Sequence, residues 1–315
     1  MYTRFEDSLG YMEDAIRLAA FDWLKEQILI YGDSLPRTLL EHGFQYHGES
    51  VTLIGAAGIW KPRQLEVVRI SITTTVNGPY EDTFSEDGLL VYRYRGNNPS
   101  HRDNLGLAEA MRTRTPLIYF HGVVPGRYLP VWPIFILENH PQRLYCLAAV
   151  DPAFAFQSGP PDNTIKSTDT AGESSLSIRN YVMTYTKHRL HQSTFRERVI
   201  AAYNQRCALC NLRHRELLDA AHIIPDSDEL GDPIVPNGLS LCKIHHAAFD
   251  QNILGVTPDY QIKTRKDILD EIDGPMLRYG LQALHDKTLY LPSKRKLWPD
   301  RERLEQRYQR FLHAG

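Results

Sequence analysis

Apolar residues recur at helical spacing near the start of the chain and at strand-like spacing beyond it. From about residue 12 to 30 the pattern predicts an amphipathic helix, because its apolar side chains fall on one face of a 3.6-residue period. Short β-type runs between turn residues then extend from Val51 to Val150 and predict a mostly-β domain, either a sandwich or a barrel. The apolar positions of the helix are Ile16, Ala20, Trp23, Leu24 and Ile28.

The composition changes after the last β-type run. The segment Asp151–Ser177 is rich in Ser, Thr, Gly, Pro and Asp, which predicts a linker. Beyond it, a second apolar stripe predicts a helix that begins at Thr194, because Thr194 and Glu197 have the spacing of a capping box. The chain is thus predicted to be α+β, with a helical segment at 1–44, a β domain at 45–150, a linker at 151–186 and a C-terminal domain at 187–315.

The charge is nearly balanced overall but uneven along the chain. A net charge of −2 over 315 residues argues against a globally basic nucleic-acid binder. Two strips are basic, however: residues 185–216 contain seven Lys/Arg against two Glu, and residues 287–310 contain eight against three acidic residues. Each strip could hold DNA phosphates or simply form a solvated face.

The hydropathy pattern and the start of the chain bear on its location. No apolar run reaches membrane-spanning length, and the start, MYTRFEDSLGYMEDAIRL, lacks the apolar core of a signal peptide. A cytoplasmic location with no membrane partner is therefore expected. In that compartment thiols stay reduced, and clustered cysteines more often bind a metal than form disulfides.

Four side chains have the spacing of a zinc site. Cys207 and Cys210 form a C-x2-C pair, and 31 residues separate it from the C-x2-H pair formed by Cys242 and His245. Zinc prefers a tetrahedron of such sulfur and nitrogen ligands, and four protein ligands leave no open position for a substrate. The spacing therefore predicts a structural Zn²⁺ ion. The alternative, buried thiols beside an exposed histidine, leaves the matched spacings unexplained.

A second set of residues is spaced around the predicted zinc site. His222 follows the strand-like run LLDAA, Asn237 comes 15 residues later, His246 nine residues after that, and Asp250 a further four. These steps resemble the signature of HNH (ββα-metal) nucleases, and the two Cys-containing turns resemble the zinc-knuckle subgroup of that family. The resemblance covers about residues 189–311 and implies a DNA endonuclease.

The resemblance implies a role for each of these residues. His222 would be the general base that takes a proton from water, and Asn237 would support the loop that orients it. His246 and Asp250 are four residues apart on a predicted helix, so both can reach one Mg²⁺ or Mn²⁺ ion. That cation would stabilise the scissile phosphate and the 3′ leaving group.

One position departs from the family pattern. Many HNH nucleases carry a metal-binding Asp or His immediately before the general base, where this chain has Ala221. Asp219 lies two residues earlier, on the same face of an extended strand, and is either a replacement ligand or a structural residue. If nothing replaces the ligand, the domain would be a catalytically weak or inactive scaffold stapled by zinc.

The most suggestive stretch of the β domain is GPYEDTFSEDGLLVYRYRG, residues 78–96. It resembles the signature of SRA domains, PUA-like β-barrels that flip a modified cytosine out of duplex DNA into a pocket. This resemblance covers about residues 45–150. It implies that Tyr80 and Tyr94 stack on the flipped base, and that Asp82 or Thr83 accepts a hydrogen bond from the cytosine amino group.

Together the two resemblances imply a type IV-like SRA–HNH restriction endonuclease that cleaves double-stranded DNA containing a modified cytosine, such as 5-methylcytosine. The residues expected to contact the DNA backbone are Arg189, Gln192 and Arg196. A single HNH site cuts one strand, so a double-strand break requires a homodimer or two binding events. Thr83 and Arg95 depart from the SRA pattern and leave open a β domain that recognises unmodified sequence, an altered backbone or RNA.

Overall fold

The computed structural model describes residues 3–76, 83–84, 89–150, 190–226 and 228–314. They fall into two compact units, one that ends at Leu190 and one that begins at His191. The linker predicted at 151–186 lies outside the described residues. In the described ranges, no helix has both the length and the apolar character that crossing a membrane requires.

The first unit is built on a mixed sheet. Its helices are α1 (Thr3–Tyr31), α2 (Arg37–His42) and α3 (Arg102–Thr113), and its strands are β1 (Leu35–Pro36), β2 (Phe44–Tyr46), β3 (Glu49–Val51), β4 (Ile59–Trp60), β5 (Ser71–Thr74), β6 (Thr83–Phe84), β7 (Leu90–Arg93), β8 (Leu117–Val124), β9 (Arg127–His140) and β10 (Tyr145–Val150). The order in the sheet is β4–β5–β8–β9–β10–β7–β6, with β1 paired to β9 and a separate β2–β3 hairpin. β5 and β8 run parallel.

Helix α1 and the sheet share one hydrophobic core. The helix predicted at 12–30 is confirmed, and it extends back to Thr3. Its buried residues Ile16 and Leu24 belong to the same cluster as Phe120 of β8. Arg17 is also fully buried, and its guanidinium donates hydrogen bonds to the backbone carbonyls of Val68 and Arg69 at 3.1 and 2.8 Å. The N-terminal helix is thus anchored in the β-rich unit by both apolar and polar contacts.

The α+β class is confirmed, and the β-type runs do form strands, most clearly in β5, β7, β8 and β9. The barrel stays a prediction. In the described residues, β4 and β6 are the two ends of the sheet and do not pair with each other.

The second unit contains short elements around a compact core. Its helices are α4 (190–202), α5 (Lys243–Asp250), α6 (Lys266–Asp270), α7 (Pro275–Gly280) and α8 (Arg301–Leu312), its 3₁₀ turns are Arg215–Leu217, Val235–Asn237, Gln282–Leu284 and Arg295–Leu297, and its strands are β11 (Leu218–His222), β12 (Gly238–Cys242), β13 (Leu254–Val256) and β14 (Ile262–Thr264). β11 pairs with β12, and β13 pairs with β14.

Helix α4 begins earlier than the sequence predicted. Residue 190 is already helical, so Thr194 lies inside the helix and the capping-box prediction is wrong. The carboxylate of Glu197, the other half of that box, is buried and accepts hydrogen bonds from Arg196 and Arg215. The Glu197 carboxylate is thus held by two ion pairs inside the unit.

Strands β11 and β12 and helix α5 form a continuous ββα unit. The two strands are antiparallel, with His222 opposite Gly238 and Leu218 opposite Cys242. Cys242 both ends β12 and precedes the first turn of α5 as its N-cap residue. The helix therefore starts directly at the end of β12, opposite Leu218 at the beginning of β11, and His246 of α5 lies beside Asp219 of β11.

Candidate active site

Cys207, Cys210, Cys242 and His245 converge on one point. The ligand atoms that they offer, three sulfurs and one ring nitrogen, all lie within 4.8 Å of one another. The first two residues come from the turn after α4, and the other two come from the junction of β12 and α5. Of the four, only Cys210 is exposed. The donor set, its spacing and its burial fit a tetrahedral metal ion such as zinc.

Groups next to the cluster influence the protonation of two of its ligands, His245 and Cys242. The Nε2 atom of His245 lies 2.8 Å from the carbonyl oxygen of Gly280, which accepts its proton and leaves Nδ1 as the ligand atom. Nδ1 lies 3.4 Å from the sulfur of Cys207 and 3.3 Å from that of Cys242. Hydrogen bonds from Cys207 and Cys210 lower the pKa of the Cys242 thiol, which favours the thiolate that binds zinc.

His222 is the last residue of β11, and Phe195 of α4 stacks on its ring. The two ring centroids are 4.1 Å apart and the planes are inclined by 20°. Gly238, opposite His222 in the sheet, makes room for this stack, because a Cβ atom there would lie 2.8 Å from the Phe195 ring. The Nε2 atom of His222 is buried and has no hydrogen-bond partner in the described chain. Native proteins rarely leave a buried polar atom unpaired without a functional reason.

Asn237 fixes the chain immediately after His222. It is fully buried, and its Oδ1 accepts a hydrogen bond from the Ile224 amide at 2.9 Å. Its Nδ2 donates to the carbonyls of Ile224 and Asp232 at 3.0 and 3.1 Å. The amide of Ile223 in turn donates to the backbone carbonyl of Asn237 at 2.9 Å. The buried Asn237 side chain therefore fixes the segment that follows His222 at two points, Ile224 and Asp232.

Asp219 and Asp250 contact opposite nitrogens of His246. Its Nδ1 lies 3.6 Å from a carboxylate oxygen of Asp219, and its Nε2 lies 3.3 Å from one of Asp250. The three residues do not close around a single point. Over the described ranges, the Cys/His cluster is the one group of three or more candidate ligands whose atoms all lie within 4.8 Å. This arrangement favours one carboxylate as a metal ligand and the other as the group that orients the ring.

Asp219 is the more tightly held of the two carboxylates. One of its oxygens accepts hydrogen bonds from Arg196 Nε at 3.1 Å and from the Ala220 amide at 2.9 Å. Arg196, expected to contact DNA, also donates to the Leu218 carbonyl at 2.7 Å and to Glu197 at 3.0 Å. These three contacts use three of the five N–H donors of the guanidinium. The contacts of Arg196 point to a role in holding Asp219 beside β11.

The pKa values of His222 and His246 are shifted in opposite directions. Burial and then the nearby charge of His246 lower the pKa of His222, against the opposing charges of Asp226 and Asp250. The contact with Asp219 raises the pKa of His246 above the ordinary range. Burial favours a raised pKa for Asp219, but the contacts with His246, the Ala220 amide and Arg196 together outweigh it, and the pKa is lowered. At neutral pH, His222 is therefore neutral and able to accept a proton.

The ββα geometry agrees with a comparison against protein families. Residues 207–257 match the HNH endonuclease family. The matched segment contains the Cys/His cluster and also His222, Asn237, His246 and Asp250. The prediction of an HNH endonuclease, a hydrolase that cleaves DNA, is confirmed by this match.

Two solved structures show a similarity that extends over more than half of this chain. One is described as the modification dependent TagI restriction endonuclease; it is 15% identical, and the similarity covers 77% of this chain and 81% of that one with a TM-score of 0.27. The other is described as the type IV phosphorothioation-dependent restriction endonuclease ScoMcrA; it is 15% identical, with 59% of this chain and 55% of that one covered and a TM-score of 0.21. A comparison with curated protein sequences finds no match.

Of the residues predicted for a modified-base pocket, the structure describes Thr83 and Tyr94. Tyr80 and Asp82 lie outside the described residues, as does Arg189. Thr83 pairs with Val91 across β6 and β7. Tyr94 is only 2% exposed, belongs to a core cluster of the sheet and donates its hydroxyl proton to Asn139. Tyr94 therefore fills the core of the first unit, and the structure does not support its predicted stacking role.

Cleavage by the HNH domain is expected to persist at lower pH than an ordinary histidine base would allow. Because the pKa of His222 is lowered from its usual 6.5, the neutral, proton-accepting form survives as the pH falls. The acidic limb of the rate, measured at saturating Mn²⁺, should thus have its midpoint below 6.5. Saturation is needed because protons compete with the cation for His246. A midpoint above the usual histidine value would identify another group as the base.

Proposed function

We propose that the HNH domain hydrolyses phosphodiester bonds in DNA with His222 as general base and with His246 and Asp250 holding one divalent cation. The observation that carries the proposal is the convergence of three motif residues on the ββα unit. His222 ends β11, the Asn237 side chain locks the segment behind it, and His246 lies on α5 beside Asp219. The general base and the cation-binding pair then belong to one short, rigid element.

The donor set of the second site fits Mg²⁺ or Mn²⁺. The carboxylate oxygen of Asp250 suits these cations, which keep several waters and take further ligands from substrate phosphates, and one imidazole nitrogen completes the protein ligands. Two protein ligands therefore suffice, and the position before the base, Ala221, need not supply a third. When bound, the cation supplies positive charge where the phosphate and the 3′ leaving oxygen become more negative.

The protein groups around His246 determine which of its nitrogens faces the cation. Asp219, held by Arg196, faces His246 Nδ1 at 3.6 Å, which favours the proton on Nδ1 and leaves the lone pair of Nε2 on the side of Asp250. Such outer carboxylates orient ligating histidines in many metal sites. We therefore place Asp219 behind the histidine and not on the cation.

His222 is poised to remove a proton from water. Its Nε2 atom is buried, while the residue as a whole is partly exposed, so Nδ1 is the nitrogen that accepts the proton. The Phe195 stack prevents the ring from turning, and the lowered pKa keeps it neutral. A general base positioned in this way contributes about 10²- to 10⁴-fold to the rate.

We further propose that the first unit recognises DNA that carries a modified cytosine. The support is the sequence pattern at 78–96, together with a cavity of about 250 Å³ at the end of β5. The cavity is lined by Val76, Gly122 and Tyr128, among others, and Val76 directly precedes the segment that contains Tyr80 and Asp82. With Tyr94 in the core, the candidate pocket residues are Tyr80, Asp82 and Thr83.

The test uses duplexes of one sequence that carry cytosine, 5-methylcytosine or 5-hydroxymethylcytosine, each with Mg²⁺ and with Mn²⁺. We expect cleavage of a modified duplex alone, and its loss in His222→Ala. Equal cleavage of all three would contradict modified-base recognition and leave the nuclease standing. Selective binding without cleavage would instead identify an inactive HNH scaffold attached to a modified-base-binding unit. Comparing nicked with linear products shows whether two copies must act together.

A further inference from the structure

Three arginines on helix α8 reach the segments that carry the proposed active site. Arg303, Arg307 and Arg310 are spaced i, i+4 and i+7, so they share one stripe of the helix. The neighbouring stripe of α8 is fixed in the domain, because Leu304 and Phe311 are buried. α8 lies beyond residues 207–257, the segment that matches the HNH family.

Arg307 is placed at the end of the metal-binding helix. Its Nη2 atom donates to the Phe249 carbonyl at 2.6 Å and lies 3.4 Å from the Asp250 carbonyl. The guanidinium carbon sits 4.7 Å from the centre of the Phe249 ring. A cation at a helix C-terminus satisfies carbonyls that have no partner within the helix and interacts favourably with the helix dipole. Arg307 thus fixes the last turn of α5, which carries Asp250.

Arg303 and Arg310 hold the loop between His222 and Asn237. Arg303 donates to the Leu230 carbonyl at 3.0 Å and to the Asp232 carboxylate at 3.3 Å. Arg310 donates to the Asp228 carboxylate at 2.7 Å. The carbonyl of Asp232 is itself a partner of the Asn237 side chain at 3.1 Å, so this loop and the Asn237 lock are one connected structure.

The start of α8 is tied to the same loop. The amide of Asp300, the N-cap residue of α8, donates to the carbonyl of Pro236, next to Asn237, at 2.9 Å. The side chain of Asp300 accepts from the Arg303 amide at 3.0 Å and closes the first turn. One helix therefore contacts the chain beside Asn237, the loop behind His222 and the end of α5.

We infer that α8 is a positioning clamp that sets the general-base loop and the cation-binding helix relative to each other. The clamp makes its contacts through Arg303, Arg307 and Arg310. We call them positioning residues, because none of these arginine side chains contacts a proposed reacting group. This inference rests on the proposed function. Arg307 is the decisive contact, because it is the one of the three whose contacts reach the helix that carries Asp250. Arg303 and Arg310 form ion pairs with loop carboxylates that are themselves partly or largely exposed, and such pairs contribute little singly.

The test replaces Arg307 by methionine, which keeps the aliphatic bulk and removes the donors. We expect Mn²⁺ binding, measured by titration of the full chain without DNA, to weaken about 10-fold or more, the usual effect of losing an outer-shell partner. Amide hydrogen exchange at residues 247–252 should speed up, and the zinc content should stay unchanged. Arg307→Lys, which retains one donor group and the charge, should recover part of the affinity.

Arg301→Met is the matched control. Arg301 lies on the same helix but is exposed and faces Asp259 at 3.6 Å and the Tyr260 ring, away from the clamp. Its replacement should leave Mn²⁺ affinity and exchange at 247–252 as in the wild type. Equal Mn²⁺ affinity in the wild type and Arg307→Met would overturn the clamp alone. A wild type that binds no Mn²⁺ beyond its zinc would overturn the proposed function and, with it, the clamp.

Discussion

Replacement of His222 by alanine is expected to lower the single-turnover rate of DNA cleavage about 10²- to 10⁴-fold, the usual contribution of a general base. The variant removes the partly exposed imidazole at the end of β11 and leaves the cation-binding pair on α5 in place. Mn²⁺ affinity should therefore change little while the rate falls. Measuring rate and affinity in the same preparation separates loss of the base from loss of the site.

His214→Ala is a suitable control for this result. His214 lies in the same unit, its side chain is 67% exposed and it contacts only Glu216, at 3.4 Å, among the contacts seen for its ring. Its loss should leave the cleavage rate within about twofold of the wild type, as expected for a surface substitution. A His222→Ala protein that cleaves as fast as His214→Ala would remove His222 from the mechanism.

Replacement of Cys242 by serine is expected to unfold the C-terminal unit and abolish cleavage. A structural zinc site contributes about 10–16 kcal/mol in small zinc-binding peptides, which is comparable with the whole stability of a domain at about 5–15 kcal/mol. Cys242 is also the junction between β12 and α5, so its loss acts at the centre of the ββα unit. Zinc content and far-ultraviolet circular dichroism measure the effect.

Cys146→Ala provides the comparison for the cysteine variant. Cys146 is buried in β10 of the first unit and is not part of the Cys/His cluster. That variant should keep one zinc ion per chain and a folded C-terminal unit. If Cys242→Ser keeps both zinc and cleavage, the cluster is not the structural metal site that its geometry indicates.

The parts of the site that sequence could predict are those determined by local spacing. Cys207 and Cys210 lie on one turn, and Cys242 and His245 on another, so their convergence needs only that two turns meet. His246 and Asp250 are likewise brought together by one helical turn. Such relations follow from residue spacing alone, and all of them are present in the structure.

Other features depended on contacts between distant segments. From the sequence alone, Asp219 could be either a metal ligand or a structural residue. In the structure Arg196, 23 residues earlier, holds it against the Nδ1 side of His246. The stack of Phe195 on His222 required Gly238 to lie opposite His222 in the sheet. Arg307 contacts the Phe249 carbonyl at the end of α5, although the two residues are 58 positions apart in the sequence. No local pattern encodes these pairings.

Tyr94 shows how a correct strand pattern can still mislead about function. Alternating apolar residues around it indicate a strand, and residues 90–93 form one. Which face of that strand is buried depends on the packing of α3 and the neighbouring strands, and Tyr94 lies on the core side with Cys146 and Leu107. Tyrosine at a strand end is as suitable for a core as for a pocket, so composition alone could not decide.

The most direct test of the account follows the two metals in one preparation of the full chain. Zinc content and cleavage of DNA are measured side by side for the wild type and for His246→Ala, before and after Mn²⁺ is added. The account predicts one zinc ion per chain in both proteins, with cleavage only in the wild type and only after Mn²⁺ is added. Loss of zinc in His246→Ala, or equal cleavage by both proteins, would contradict the separation of a structural cluster at Cys207, Cys210, Cys242 and His245 from a catalytic site at His222 and His246.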